Sequence, residues 1–268
     1  MRKFLPFCLI CLLSIHLSAQ KRSVALTFDD LPLALAGSSE NSNPAEILTE
    51  TRAVNKAILQ ALRRGHAPAI GFVNEKKVVR NGQTEQNRAI LREWIRQGHE
   101  LGNHTYSHAD LTELTVESFE KEIVDGEPTI RLLMATAGKP IHFLRFPFNH
   151  TGETVDKHAA IAAFLQQHGY TVATCTIDNS DWVFARAYRL MLDRHNAPSI
   201  ARLRADYLEY TRKEIEYYNQ LTRHVFGHEI PQVMLLHGEP SQCRPAGTGA
   251  ENFRKTGLQI CEPARGPG

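Results

Sequence analysis

Five groups of residues in this chain could do chemistry. Asp29 and Asp30 follow Val24, Ala25, Leu26, Thr27 and Phe28, a run that predicts a short buried strand ending in two adjacent carboxylates. Neighbouring side chains of a strand point to opposite faces, so each carboxylate is expected to have its own task, one on a metal ion and one as a base. Taken alone, the pair reads more plainly as an acidic turn. His104 and His108 stand four apart, the spacing that puts two imidazoles on one face of a helical turn. With Asp30 they make a His-His-Asp set, suited to zinc or a similar divalent ion with positions left for water and substrate. Asp29 is then the natural base, because such an ion lowers the pKa of its water toward ~7.

The other groups also follow predicted strands. Arg145 could hold a carboxylate through a bidentate contact, Pro147 fixes a turn, and the backbone N–H of Phe148 could face a developing oxyanion. Asp178, Asp181 and Trp182 come next: a tryptophan beside two acids suits a sugar face, while Asp181 could also serve as a helix cap. His237 ends the last predicted strand, where it can be a general acid with Leu236 as an apolar wall. Each group is weak alone. Together, separate strand ends supply plausible catalytic groups in sequence order, which surface chance does not explain.

The elements that must position them alternate regularly. Strands are expected at Ser23 to Asp30, Ala69 to Val73, His99 to Asn103, Ile141 to Phe146, Tyr170 to Ile177 and Val233 to Leu236. Between them lie helices from Asn43-Pro44 to Arg64, Glu85 to Gln97, Thr115 to Ala137 with interruptions at Gly126 and Pro128, and Glu153 to His168. One long helical stretch runs from Trp182 to Phe226, with Tyr207, Tyr210, Tyr217 and Leu221 as a packing stripe. Strands alternating with helices imply an α/β fold with a parallel sheet, open or closed as a barrel.

A chain of 268 residues with 42% hydrophobic content can fill one large α/β core. A net charge of +2 gives no argument for a nucleic-acid partner. Residues 1–19 read as a signal peptide: Arg2 and Lys3 precede the apolar run Phe4 to Leu17, and Ser18-Ala19 offers a cleavage site. The run is too short for a comfortable span, so a secreted or periplasmic protein without stable membrane insertion is expected. Beyond the signal remain Cys175, Cys243 and Cys261, without zinc-type spacing, and Cys175 is expected to be buried in a strand.

These residues resemble the motif set of the NodB-homology polysaccharide deacetylases, carbohydrate esterase family 4. The motifs appear in order as TFDD at Thr27 to Asp30, HTYSH at His104 to His108, RFPF at Arg145 to Phe148, DNSDW at Asp178 to Trp182, and MLLH at Met234 to His237. The resemblance covers Ser23 to Gly238. It implies a distorted (β/α)7 barrel, Asp29 as base, and Asp30, His104 and His108 as ligands of a divalent metal, zinc first with cobalt or nickel as alternatives. It further implies that Arg145 orients Asp29 and that Asp181 pairs with His237, the acid that protonates the leaving amine. Trp182 and Leu236 would line a pocket for the acetyl methyl, and the Phe148 amide would assist at the carbonyl. The substrate implied is a carbohydrate polymer or oligosaccharide, first the N-acetylglucosamine units of peptidoglycan or a chitin-like polymer. O-acetyl xylan, a silent sugar-binding scaffold and small-molecule amides are the alternatives. Phe148 and Met234 depart from the family's usual tyrosine and leucine, and the long helical stretch is an insertion relative to compact members.

The catalytic unit is expected over 20–237, with 238–268 as an aberrant tail rich in Gly, Pro and Arg and without apolar period. The codons allowed for this tail also permit, one nucleotide over, LNADRLEQVLKIFGKRGYKFVSL, an amphipathic helix, a turn and a strand. A displaced reading frame is therefore expected, leaving the barrel incomplete at its C-terminus.

Overall fold

A computed structural model describes residues 22–34, 43–238 and 259–260. The expected signal peptide lies outside them, as does the tail apart from Gly238 and Gln259–Ile260. Strands and helices alternate in the order β1 (Ser23–Leu31), α1 (Pro44–Gly65), β2 (Ala69–Val73), α2 (Glu75–Val79), α3 (Thr84–Arg96), β3 (Glu100–Asn103), α4 (Val116–Asp125), α5 (Pro128–Thr136), β4 (Phe143–Leu144) and α6 (Val155–Gln167). Then follow β5 (Thr171–Val172), β6 (Ile177–Asp178), α7 (Asp181–Asp193), α8 (Ala197–Phe226), β7 (Gln232–His237) and β8 (Gln259–Ile260).

Seven strands form a parallel path, β5-β4-β3-β2-β1-β7-β6, and β8 pairs with the start of β1. The two ends of the path, β5 and β6, are successive pieces of the stretch expected as one strand from Tyr170 to Ile177. Thr171 and Val172 pair with β4, whereas Ile177 and Asp178 pair with β7. The sheet therefore curls into the distorted barrel expected for the family, and residues 173–176 bridge its two edges. Cys175 sits on that bridge, half-buried, and donates to the Ile177 carbonyl instead of lying inside a strand.

Alternation along β1 and β7 separates two faces. Val24, Leu26 and Phe28 pair with Gln232, Met234 and Leu236. The apolar members of those pairs join the main core, under α1, α3 and α5. Residues one position on, Thr27 and Asp29, pair with Leu235 and His237 and face the other way. This second face carries the chemistry.

The long helix expected over 182–226 is two helices. His195 adopts a left-handed backbone (φ 51°), and Asn196 Oδ1 accepts from Ser199 N–H at 3.1 Å to start α8. An asparagine cap followed by an early proline is the same signal that starts α1 at Asn43. The aromatic stripe is also divided. Tyr207 and Tyr210 pack on Phe184 of α7, at 5.2 and 5.4 Å between ring centroids, but Tyr217 and Leu221 are exposed. Ile215 and Tyr218 face the core in their place.

Candidate active site

β1 does not end as a regular strand. Phe28 pairs with Gly71 and Leu31 with Val73, so three steps on β1 match two on β2. The extra residue is a bulge, and Asp30 takes φ +70° there. A regular strand would send Asp30 to the core face beside Phe28. The bulge turns it back, so Asp29 and Asp30 line the same cleft. The expectation of opposite directions fails here, while separate tasks remain available because their partners differ.

Asp29 is buried beside Arg145, whose Nη1 donates to Oδ2 at 3.4 Å. Arg145 is itself held on every side. Its Nη2 donates to Thr27 Oγ1 at 3.1 Å, its Nε donates to the Ala173 carbonyl, and its guanidinium lies 5.0 Å from the Phe72 ring centre. Asp29 Oδ1 is buried with no hydrogen-bond partner in the protein. One oxygen is thus fixed and the other is open to a reacting group.

His104 and His108 come from an irregular loop after β3, not from the helical turn their spacing suggests. Thr105 and His108 have φ of 66° and 62°. The loop is held by Asn103, whose Oδ1 accepts from Thr105 N–H and whose amide donates to Ile123 O and Tyr170 Oη. Glu122 accepts from Ser107 through both its N–H and its hydroxyl. Gly126 lets α4 approach: a Cβ there would stand 2.6 Å from Asn103 Oδ1. The two rings still converge, with centroids 4.8 Å apart.

His104 Nδ1 lies 2.8 Å from the Arg145 carbonyl. A carbonyl only accepts, so Nδ1 carries the proton and Nε2 keeps its lone pair. Burial pushes His104 below the ordinary histidine range, against the pull of Asp29 and Asp30. Burial likewise takes His108 down to about 4. Two neutral imidazoles and an ionised carboxylate are what a divalent cation requires. For Asp30, burial works against ionisation, but Lys77, His104, His108 and His237 outweigh it and hold the carboxyl well below the usual range. One ligand atom from each of Asp30, His104 and His108 lies within 4.8 Å of the others, so the set fits a metal ion.

His237 stands beside Asp29, its register partner on the adjacent strand. Asp181, at the start of α7, holds it twice: Oδ1 lies 2.7 Å from His237 Nδ1, and Oδ2 accepts from His237 N–H at 2.6 Å. Burial alone would lower this histidine, but Asp181, with Asp29 and Asp30 behind it, raises it to about 10. His237 is therefore protonated at neutral pH, with Nε2 as the remaining donor.

The cleft has a volume of about 770 Å³. Trp182 and Phe148 lie on its wall, both substantially exposed, and the Phe148 ring meets His108 edge-on at 4.6 Å. Phe148 has φ +57°, a backbone placed by the turn at Pro147.

The family profile described as polysaccharide deacetylase matches residues 16–173. The chain belongs to that family. It is 26% identical over 160 residues to a chitooligosaccharide deacetylase of Sinorhizobium fredii, covering 60% of this chain and 60% of that one. It is 25% identical over 162 residues to a peptidoglycan-N-acetylglucosamine deacetylase of Bacillus cereus, covering 60% of this chain and 47% of that one. The match thus spans less than two thirds of either relative. A crystal structure of a Bacillus cereus polysaccharide deacetylase superposes with a TM-score of 0.58 at 16% identity, over 91% of this chain and 93% of that one. That likeness shows the shared fold.

Within this polysaccharide deacetylase fold, one expected lining residue is misplaced. Leu236 pairs with Phe28 on the core face, and it is Leu235, paired with Thr27, that lines the cleft. The cause is strand alternation: a residue on the His237 face must be two positions away, not one. Sequence reasoning also missed Lys77, whose Nζ lies 2.7 Å from Asp30 Oδ1. It missed Thr27 as a ligand of Arg145, although the alternation that places Leu235 places Thr27 as well. Nothing in the local pattern around Lys77 marks it, because α2 is one short turn inside what reads as a loop. Among the described residues, no helix is long and apolar enough to cross a membrane.

Proposed function

We propose that this chain is a metal-dependent hydrolase that removes N-acetyl groups from amino sugars, first the N-acetylglucosamine units of peptidoglycan or a chitin-like polymer. The reading is supported by one arrangement above all. A carboxylate with an open oxygen (Asp29) and a protonated imidazole (His237) stand on adjacent strands beside the Asp30, His104 and His108 set. A divalent ion held by those three residues, zinc by ligand type, would polarise the acetamide carbonyl and make a nearby water more acidic.

Asp29 takes the proton of the attacking water, with Arg145 fixing its Oδ2 so that Oδ1 faces the reaction. The backbone N–H of Phe148 is assigned to the carbonyl oxygen as negative charge develops there. His237 gives its proton to the amine nitrogen as the C–N bond breaks, and Asp181 holds the ring and stabilises its charge. Acetate and a free amino sugar leave. Trp182 offers a flat face to the sugar, and Leu235 an apolar surface for the acetyl methyl.

Export beyond the inner membrane, a catalytic unit over 20–237 and a displaced reading frame for 238–268 are part of this proposal. Sequencing the encoding DNA around codons 237–241 tests the last point: a one-base slip is expected, and an intact frame without a homopolymer refutes it. For the activity, acetate release is measured from peptidoglycan and acetylated chito-oligomers, with and without a chelator. Chelator-sensitive release abolished by Asp29→Ala is expected. If the chain binds these saccharides and neither it nor a version with the shifted-frame tail releases acetate, it is a sugar-binding protein and the enzymatic reading falls.

A further inference from the structure

The short helix α2 is tied to both segments that carry the metal-ligand set. Asn74 N–H donates to the Leu31 carbonyl at the end of β1, and the Asn74 amide donates to His104 O. Lys76 N–H donates to the Tyr106 carbonyl at 2.9 Å. Glu75 is buried and bound to Thr129 at the start of α5. These ties fix the α2 backbone, and Lys77 projects from it into the cleft. Its ammonium rests 2.7 Å from Asp30 Oδ1.

That oxygen is also a candidate metal ligand. His108 Nε2 lies 3.8 Å from the same Oδ1, so an ion shared by Asp30 and His108 would enter beside the ammonium. A lysine ammonium only donates and carries a full charge. It and a dication repel strongly at such separations in a partly buried site. Close contact of both with one carboxylate oxygen is therefore opposed.

We propose that Lys77 is a positioning residue for the metal-ligand aspartate: it holds Asp30 in the metal-free protein, and it must release Asp30 when the dication binds. Lys77 thereby sets the metal affinity of the site. The inference rests on the reading of Asp30, His104 and His108 as the metal set. Lys77 has a route outward, since its side chain is 25% exposed on the cleft wall and its four-carbon stem is flexible. The ammonium also compensates a half-buried carboxylate held at a left-handed backbone position.

The test uses the full chain and its variants Lys77→Met and Lys77→Arg. Zinc binding is measured by calorimetry, cobalt binding by visible absorption, and thermal midpoints with and without metal. Lys77→Met is expected to bind metal about tenfold more tightly or better. Its metal-free Tm should fall, while its metal-loaded Tm holds, so the metal-induced shift widens. Lys77→Arg keeps the charge and should show no tightening. Binding by Lys77→Met that is equal to or weaker than wild type overturns the role of Lys77 and leaves the metal set standing. If neither wild type nor Lys77→Met binds metal, the set itself falls, and the inference with it.

Discussion

Asp29 and Asp181 are both buried carboxylates beside basic side chains, yet they are held differently. Asp181 spends both oxygens on His237, one on the ring and one on the backbone N–H, at 2.7 and 2.6 Å. Asp29 has only longer contacts, both to Oδ2, 3.4 Å from Arg145 and 3.7 Å from His104 Nε2, and its Oδ1 has no hydrogen-bond partner. A carboxylate with both oxygens engaged can orient a neighbour and stabilise its charge, but it is a poor base. A carboxylate held by one oxygen is oriented and still able to take a proton. In the proposed mechanism, the number of engaged oxygens, not burial, separates the two roles.

Breaking the open side should cost most. Asp29→Asn keeps the shape and removes the base, so kcat is expected to fall about 10³-fold, with saccharide binding by calorimetry little changed. A similar loss of binding would mean that Asp29 is structural. Asp181→Asn should cost about 10²-fold, and it should also move the alkaline limb of the pH–rate profile downward, because Asp181 is the group that raises His237 to about 10. The same pair links stability to pH. His237 has a folded pKa above its ordinary 6.5, so its contribution is fully present below pH 6.5 and is lost as pH rises toward 10. Denaturation of wild type and Asp181→Asn across that window should therefore converge at the alkaline end. A constant gap would place the stabilising effect elsewhere.

Two smaller effects sharpen the comparison by testing the frame that carries it. Leu236→Ala should lower stability by about 2 kcal/mol with KM intact, whereas Leu235→Ala should raise KM with less loss of stability. The reverse pattern would put Leu236 on the cleft face and overturn the register of β7 against β1. Gly126→Ala should cost about 1 kcal/mol in thermal denaturation and weaken metal binding, because its Cβ presses on Asn103 and displaces the histidine loop.

The alternation of elements was legible, and so were the residue types at the strand ends. Strand β2 and the start of α1 were read to the residue, because five consecutive buried residues and an Asn-Pro cap leave little choice. Errors arose where backbone irregularity replaced a regular period. The Asp30 bulge, the left-handed residues of the histidine loop and the division of Tyr170 to Ile177 into β5 and β6 all depend on pairing with distant strands. The break at Asn196 was readable from its cap and was overlooked because the apolar pattern runs on through it.

The sequence by itself determined the reagents: two adjacent carboxylates, two histidines, an arginine, an aspartate at the start of α7 and a histidine at the end of β7. It did so because each motif is a short run whose side-chain chemistry survives any local geometry. Only the tertiary structure decided which way each reagent faces. Whether Asp30 faces the cleft depends on a bulge against β2. Whether Leu235 or Leu236 lines it depends on the register of β7. Whether Asp29 stays open depends on Arg145, 116 positions away, being occupied by Thr27 and Ala173. Hydrogen bonds between strands distant in sequence set those directions, and no local period encodes them.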